Sequence, residues 1–325
     1  MTRNTRYFMA GSAAVLTAGL CTGLVAYYGG GFQALSASTG PIELRWVPPD
    51  AAVIAYADVG AIMNSELRLR IKEAMPQQQQ GQEEFRRATG IDIERDIQYV
   101  VAAVTPGTHS ALLVARGNFN PTELRALAVE HGGVIETYKD KTLISKVADD
   151  HAPNGGTLAF LEDGLVAIGD TATVKRAIDA QLTATSVTSN DDIMTLVSEI
   201  EQGNNAWAVG RVDALTAHAK LPDQIARQIP PVKWFAAAGH INGGVSGMVR
   251  LEANDEEAAE LLRRQVSGAL AFGEMVGRND PRAAAALKTI QMSGTGKTVQ
   301  LSFTVPGELL QMVLPKAPAV GIAAH

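Results

Sequence analysis

Cysteine is nearly missing from this chain: Cys21 is the only one in 325 residues. No intramolecular disulfide can therefore form, and no thiol nucleophile exists beyond the N-terminal segment. Acidic residues are missing from the first 42 positions, and no charge of either sign lies between Tyr7 and Ile42. Aromatic residues make up only 5% of the chain, so Trp46, Trp207 and Trp234 are expected as core or sheet anchors rather than as a sugar-binding platform. The serine elbow GxSxG, the SxxK pair and the HExxH helix are all absent. Their absence removes the common hydrolase and zinc-protease classes.

What is present begins with a long apolar run. Phe8 to Tyr28 is almost wholly apolar or small, and at about 1.5 Å per residue it matches the roughly 30 Å hydrocarbon core of a bilayer. Arg3 and Arg6 precede it and no basic residue follows until Arg45, which places the N-terminus in the cytoplasm and the rest of the chain outside. Tyr27 and Tyr28 close the run where interfacial aromatics belong. A cleaved secretory signal is the alternative, with Ala34-Leu35-Ser36 or Ser36-Ala37-Ser38 as a small-x-small site. The run is longer than the h-region such signals use, so an uncleaved anchor is the expectation. Cys21 is expected as a small packing residue there. A lipoprotein box would need a small residue where Leu20 stands.

Beyond the anchor the chain carries 26 basic against 34 acidic residues, a formal −8. An acidic surface repels phosphate backbones, so no nucleic acid partner is expected. Residues 29–49 are rich in glycine, serine and proline and read as a tether. Folding is expected from Ala52–Asp58, an apolar strand, followed by a helix capped by Asn64 with Leu67 and Ile71 on its inner face. Pro76–Gly81 breaks that helix, and a short one over Glu83–Thr89 stops at Gly90. Strands are predicted at Ile97–Val104 and Ala111–Ala115. Asn120-Pro121-Thr122-Glu123 opens a helix to His131. Hairpins then turn at Lys139-Asp140-Lys141 and Glu162-Asp163-Gly164, and Asp170 caps a helix to about Leu182.

The second half repeats this order. Ala55-Tyr56-Ala57-Asp58 matches Ala208-Val209-Gly210-Arg211 in pattern, each a strand running into a helix. Two strands turning at Asn242-Gly243-Gly244 precede Asn254-Asp255-Glu256-Glu257, which opens a long helix. Its apolar stripe is Ala258, Leu262, Val266, Ala269, Phe272 and Val276. A hairpin over Thr289–Val305 and a short helix to Leu314 complete the unit. The predicted fold class is α+β, with an N-terminal transmembrane helix followed by two repeated, largely antiparallel sheet-plus-helix units. Its boundaries are a cytoplasmic stub and signal-anchor at 1–28, the tether at 29–49, units at 50–185 and 195–315, and a tail at 316–325. Whether the two sheets merge is left open by the sequence.

No motif carries chemistry. Ser293-Gly294-Thr295-Gly296-Lys297-Thr298 resembles the end of a phosphate loop, but Gln291 stands where a glycine is required. Val299–Phe303 alternates like a strand instead of opening a helix. Asp149-Asp150-His151 offers three adjacent donors that one ion could not all reach without help. Gly244-Val245-Ser246-Gly247 lacks the closing glycine of an elbow because Met248 is there. His109, His131, His218 and His240 share no ligand spacing. The acid pairs Glu83-Glu84, Asp191-Asp192 and Glu256-Glu257 read as solvated faces or helix starts. No catalytic, cofactor-binding or metal-binding residue is therefore assigned, and no cofactor is expected.

The anchor, the strand Ala52–Val59, Phe85 with Thr89-Gly90-Ile91-Asp92 and Asp96, and Thr157–Asp170 with its Asp163-Gly164 turn together resemble a broad bacterial family. Its members are anchored, exported proteins with duplicated α+β units. The resemblance spans residues 48–182 and extends faintly into the second half. It implies the architecture above and transfers no catalytic residue. The expected function is that of a non-enzymatic, membrane-anchored extracytoplasmic interaction or scaffold protein, held in the bilayer through residues 8–28. It would have a protein partner at the membrane, as an accessory subunit of a membrane complex. A small-molecule or lipid-binding module with a groove between the units is the alternative.

Overall fold

The computed structural model describes residues 40–74, 86, 90–106, 111–130, 132–146, 156–212, 231–277, 285 and 287–309. The anchor expected at residues 8–28 lies outside them. Among the described residues no helix is long and apolar enough to cross a membrane.

The first apolar run forms β1 (Val53–Asp58), as its β-branched and aromatic residues favour. Asp58 then starts α1 (Val59–Met63) by accepting the Ala61 N–H at 2.7 Å. Because the helix begins there, Asn64 falls at its C-terminus and donates its side-chain amide to the Gly60 carbonyl, instead of opening the next helix as expected. The Ser65 hydroxyl caps α2 (Glu66–Ala74) by accepting the Arg68 N–H, and Leu67 turns inward. The Glu83–Thr89 helix lies outside the described residues except at Arg86, whose carbonyl accepts the N–H of Gly90 at a φ of 74°. A short α3 (Ile93–Asp96) leads into the hairpin of β2 (Ile97–Val104) and β3 (Ala111–Gly117).

The Asn120 side chain accepts the N–H groups of Thr122 and Glu123 and so opens α4 (Pro121–Glu130). Gly132 and Gly133 close it by donating back to the Val129 and Ala128 carbonyls. The strands β4 (Val134–Tyr138) and β5 (Lys141–Lys146) meet at Lys139-Asp140, both at positive φ. That is a two-residue hairpin turn, with Lys141 already in the strand. The strands β6 (Gly156–Glu162) and β7 (Leu165–Gly169) turn at Asp163-Gly164. Asp170 accepts the Thr173 N–H at 2.7 Å and starts α5 (Thr171–Leu182).

The linking residues also fold, as a 3₁₀ turn at Val187–Ser189 and then α6 (Asp191–Ile200), capped by Asn190. The second unit supplies β8 (Ala206–Arg211), β9 (Val232–Ile241), β10 (Gly244–Ala253), α7 (Glu256–Gly277), β11 (Gln291–Ser293) and β12 (Thr298–Pro306). The helices expected after β8 and β12 extend outside the described residues.

All twelve strands join one antiparallel sheet in the order β11-β12-β10-β9-β8-β1-β2-β3-β7-β6-β5-β4. The two units therefore share a sheet, joined where β1 pairs with β8. The register sets Ala55 directly opposite Ala208, the two residues that the sequence repeat equates. The strand order mirrors itself about that pair, with β2 and β3 lying outside β1 as β9 and β10 lie outside β8, and α4 follows β3 as α7 follows β10.

One face of the sheet carries Ile54, Val101, Val114, Leu143, Trp207 and Val209, which α5 and α6 cover with Val174, Ile178, Ile193 and Val197 to make the main core. The opposite face is covered at its outer parts by α4 and α7. Residues 42–47 correct the expected tether: Ile42–Trp46 is a 3₁₀ turn, and Leu44, Trp46 and Val47 are wholly buried in the main core. Three apolar side chains in so short a stretch gain more by burial than a solvated linker gains in entropy, each contributing about 1.5–3 kcal/mol.

Candidate functional site

Three places hold side chains that the core does not account for. The first is a groove of about 670 Å³ at the end of the β1–β8 seam. Asp50 and Ala52 border it as the chain enters β1. Asn190 and Asp192 come from the start of α6, and Arg211 and Trp234 from the ends of β8 and β9. Strand pairing puts Arg211 opposite Trp234. Asp50 is held by Arg176 at 2.5 Å, and the Asn190 amide donates to the Pro49 carbonyl at 3.4 Å. Beyond Trp234 a smaller recess of about 210 Å³ runs past Leu196 and the Glu199–Arg250 ion pair.

The second is the free side of α7. Its first turns pack on the sheet, with Ala258, Ala259 and Leu262 against Ala253 and Val299, and Gly273 near its far end lies beside the Leu287 side chain. The expected stripe fails beyond Val266: Ala269 is exposed and Phe272 is 62% exposed. Leu261, Phe272 and Met275 are all large, apolar and exposed. Their spacing of 11 and 3 residues puts them on one side of a helix. The sequence periodicity was ambiguous because α7 has two apolar stripes about a quarter-turn apart, and only the Ala258–Leu262 stripe meets the sheet.

The third is the aromatic row across the seam. Tyr56 stacks on Trp207 at 5.6 Å between centroids and on Tyr99 at 6.0 Å. Burial, then the nearby Asp58 charge, pushes the Tyr56 phenol far above its ordinary range. Asp58 is itself pushed up by burial, against the Ala61 N–H that favours its charge. The sign follows: an acid raised on folding binds its proton more tightly in the native state, so its contribution makes stability fall as pH rises from the ordinary Asp value through the raised one. Asp58→Asn keeps the capping oxygen and removes the buried charge. It is expected to melt above the parent at pH 7.5, with the difference disappearing near pH 3, where both side chains are neutral. A lower melting temperature for Asp58→Asn at pH 7.5 would contradict this.

Of the sequence motifs, Gly294–Lys297 forms the β11–β12 turn, and a strand follows it. The Lys297 ammonium donates to the Asn254 carbonyl at 3.0 Å. Val245–Gly247 lies within β10. Asp191-Asp192 and Glu256-Glu257 occupy first helical turns. Trp46 and Trp207 are buried anchors, and Trp234 is half-buried in the groove wall. Asp149-Asp150-His151, Glu83-Glu84, His109, His131 and His218 lie outside the described residues. Among the described residues no three His, Cys, Asp or Glu side chains gather as for a metal ion. The groove was invisible in the sequence because it joins six segments far apart in the chain.

No family model matches this chain, and no curated protein matches it. Among solved structures, crystal forms I and III of TP0453 each align with 86% of this chain and 98% of their own, at 11% and 10% identity and a TM-score of 0.48. Crystal form IV aligns with 85% of this chain and 97% of its own at a TM-score of 0.45.

Proposed function

We propose that this is a membrane-anchored, extracytoplasmic interaction protein without enzymatic activity, an accessory or scaffold subunit whose N-terminal span at residues 8–28 holds it beside a membrane partner. The observation that carries the reading is the outward side of α7, which presents Leu261, Phe272 and Met275 to solvent. Exposed apolar residues gathered on one element mark an interaction surface. The occupant is a protein rather than a lipid surface. Helices that lie on bilayers carry Lys and Arg along their polar side, whereas α7 sets Glu256, Glu257, Glu260 and Glu274 against Arg263 and Arg264.

The test is to purify the full chain from its native membranes in gentle detergent, as parent and as Phe272→Glu/Met275→Glu. The parent is expected to carry a stoichiometric membrane protein that the variant loses, while the variant keeps its circular dichroism and melting temperature. Equal recovery of that partner with both forms would sink the α7 reading. A parent with no protein companion would sink the scaffold function.

The seam-end groove favours a second reading, an exported ligand-binding module. Its lining mixes amide and charged groups with apolar ones, which suits a polar ligand better than a lipid tail.

A further inference from the structure

Trp234 differs from the other two tryptophans. Trp46 and Trp207 are wholly buried, whereas Trp234 keeps part of its indole in the wall of the seam-end groove and borders the recess beyond it. A half-buried indole is costly to leave facing water and is amphipathic, with an apolar face and a polar edge. Around it stand planar groups that can donate or accept, or do both: the Asn190 and Asn254 amides and the Asp192 carboxylate. The charges bordering the groove balance, Asp50 and Asp192 against Arg211 and Lys233, so it favours neither a polyanion nor a polycation. Its volume falls within the roughly 300–1,000 Å³ of small-ligand sites. A second recess of about 210 Å³ also borders Trp234.

A half-buried indole bordered by groups that donate and groups that accept, in an electrically balanced groove with a second recess on its other side, is the complement of a sugar chain. We propose that the groove around Trp234 binds a neutral oligosaccharide. One ring lies with its C–H face on the indole, and its hydroxyls bond to Asn190, Asp192 and Asn254. The Lys233 ammonium is 5.9 Å from the indole centroid, at the outer limit of a cation–π contact worth about 0.5–1 kcal/mol when exposed. A sugar ring can displace it at small cost. The inference rests on the groove alone and stands or falls independently of α7.

The test uses the full chain in a detergent without a sugar headgroup, titrated by calorimetry and tryptophan fluorescence with chitohexaose, cellohexaose and maltohexaose. Saturable binding of at least one is expected. It should weaken by about tenfold or more in Trp234→Leu and in Asp192→Ala, and hold or strengthen slightly in Lys233→Ala, where no ammonium has to leave the indole. If Trp234→Leu loses its circular dichroism signal, the exposed Asp192→Ala carries the test. Failure of all three glycans to saturate overturns the proposal. So does undiminished binding by the variants, a loss in Lys233→Ala that marks an anion site, or competition by the charged peptide Lys-Ala-Glu.

Discussion

Arg116→Met is expected to destabilise the protein by about 3 kcal/mol or more, because it leaves Glu43 buried without its partner. Glu43 is 4% exposed, and the Arg116 Nε donates to its carboxylate at 2.5 Å. Arg116 also lies 3.9 Å from Glu162, which Arg45 engages with contacts of 2.6 and 2.7 Å. Together these four side chains fasten the 3₁₀ turn of residues 42–46 to β3 and β6. Denaturant unfolding of the full chain measures the cost. Glu43→Gln/Arg116→Met should recover much of the loss, because removing both charges also removes the desolvation penalty that one stranded carboxylate incurs. Arg45→Met should cost far less, since that pair is about one-third exposed on each side and exposed pairs contribute about 0–1 kcal/mol. A loss below about 1 kcal/mol in Arg116→Met would contradict this and mean that water reaches Glu43 in place of its partner. The clamp matters for the proposed function because it lies in the last part of the segment read as tether. A chain held at residues 8–28 would transmit its restraint through this turn into the sheet.

Local chemistry made much of this fold legible. Asn120, Asp170 and Gly132-Gly133 act at helix ends because a side-chain acceptor or a left-handed glycine satisfies a specific backbone group, which requires nothing from distant sequence. The Asp163-Gly164 turn and the strands around it were readable for the same reason. The reading failed where the outcome depended on what lies across space. Asn64 had the right chemistry for a cap, but Asp58 had already started a helix six residues earlier. Residues 42–47 looked like linker because three prolines and a glycine flank them, and only the pocket between α5 and α6 shows why Leu44 and Trp46 bury. Phe272 fitted a helical stripe equally well whether the sheet extended beneath it or not. Asn205, which bonds both ways with the backbone of Ile241 at 2.9 and 3.2 Å and so prolongs the β8–β9 ladder, gave no signal, because an asparagine before a strand usually marks a turn. The groove around Trp234 depends wholly on the union of the two sheets, which the repeat alone left undecided.

That union makes the second large effect. Trp207→Ala is expected to cost about 3–5 kcal/mol, the range for emptying a large aromatic site in a core. Trp207 sits directly opposite Tyr56 across the β1–β8 seam and is 2% exposed, so its removal opens a cavity in the main core, to which both units contribute. The backbone offers no easy collapse there. Gly210 packs so closely that an added Cβ would meet the Ala52 carbonyl oxygen and the Val53 backbone, so the strands are already at contact distance and cannot close further around a void. Trp207→Phe keeps most of the stacking surface and should cost less than half as much. Urea unfolding of the full chain, followed by circular dichroism and by the fluorescence of Trp46 and Trp234, separates two outcomes. If the units are one cooperative body, both signals shift together to lower urea in Trp207→Ala. If they are separable, the Trp46 signal of the first unit and the Trp234 signal of the second part into two transitions, and the continuous sheet would be a weak association rather than a shared core. A single, strongly shifted transition would mean that neither unit is stable without the strand the other supplies. The groove at the seam's end would then exist only in the intact chain, and loss of glycan binding in Trp207→Ala would accompany loss of the fold, whereas Asp192→Ala should abolish binding with the melting temperature unchanged.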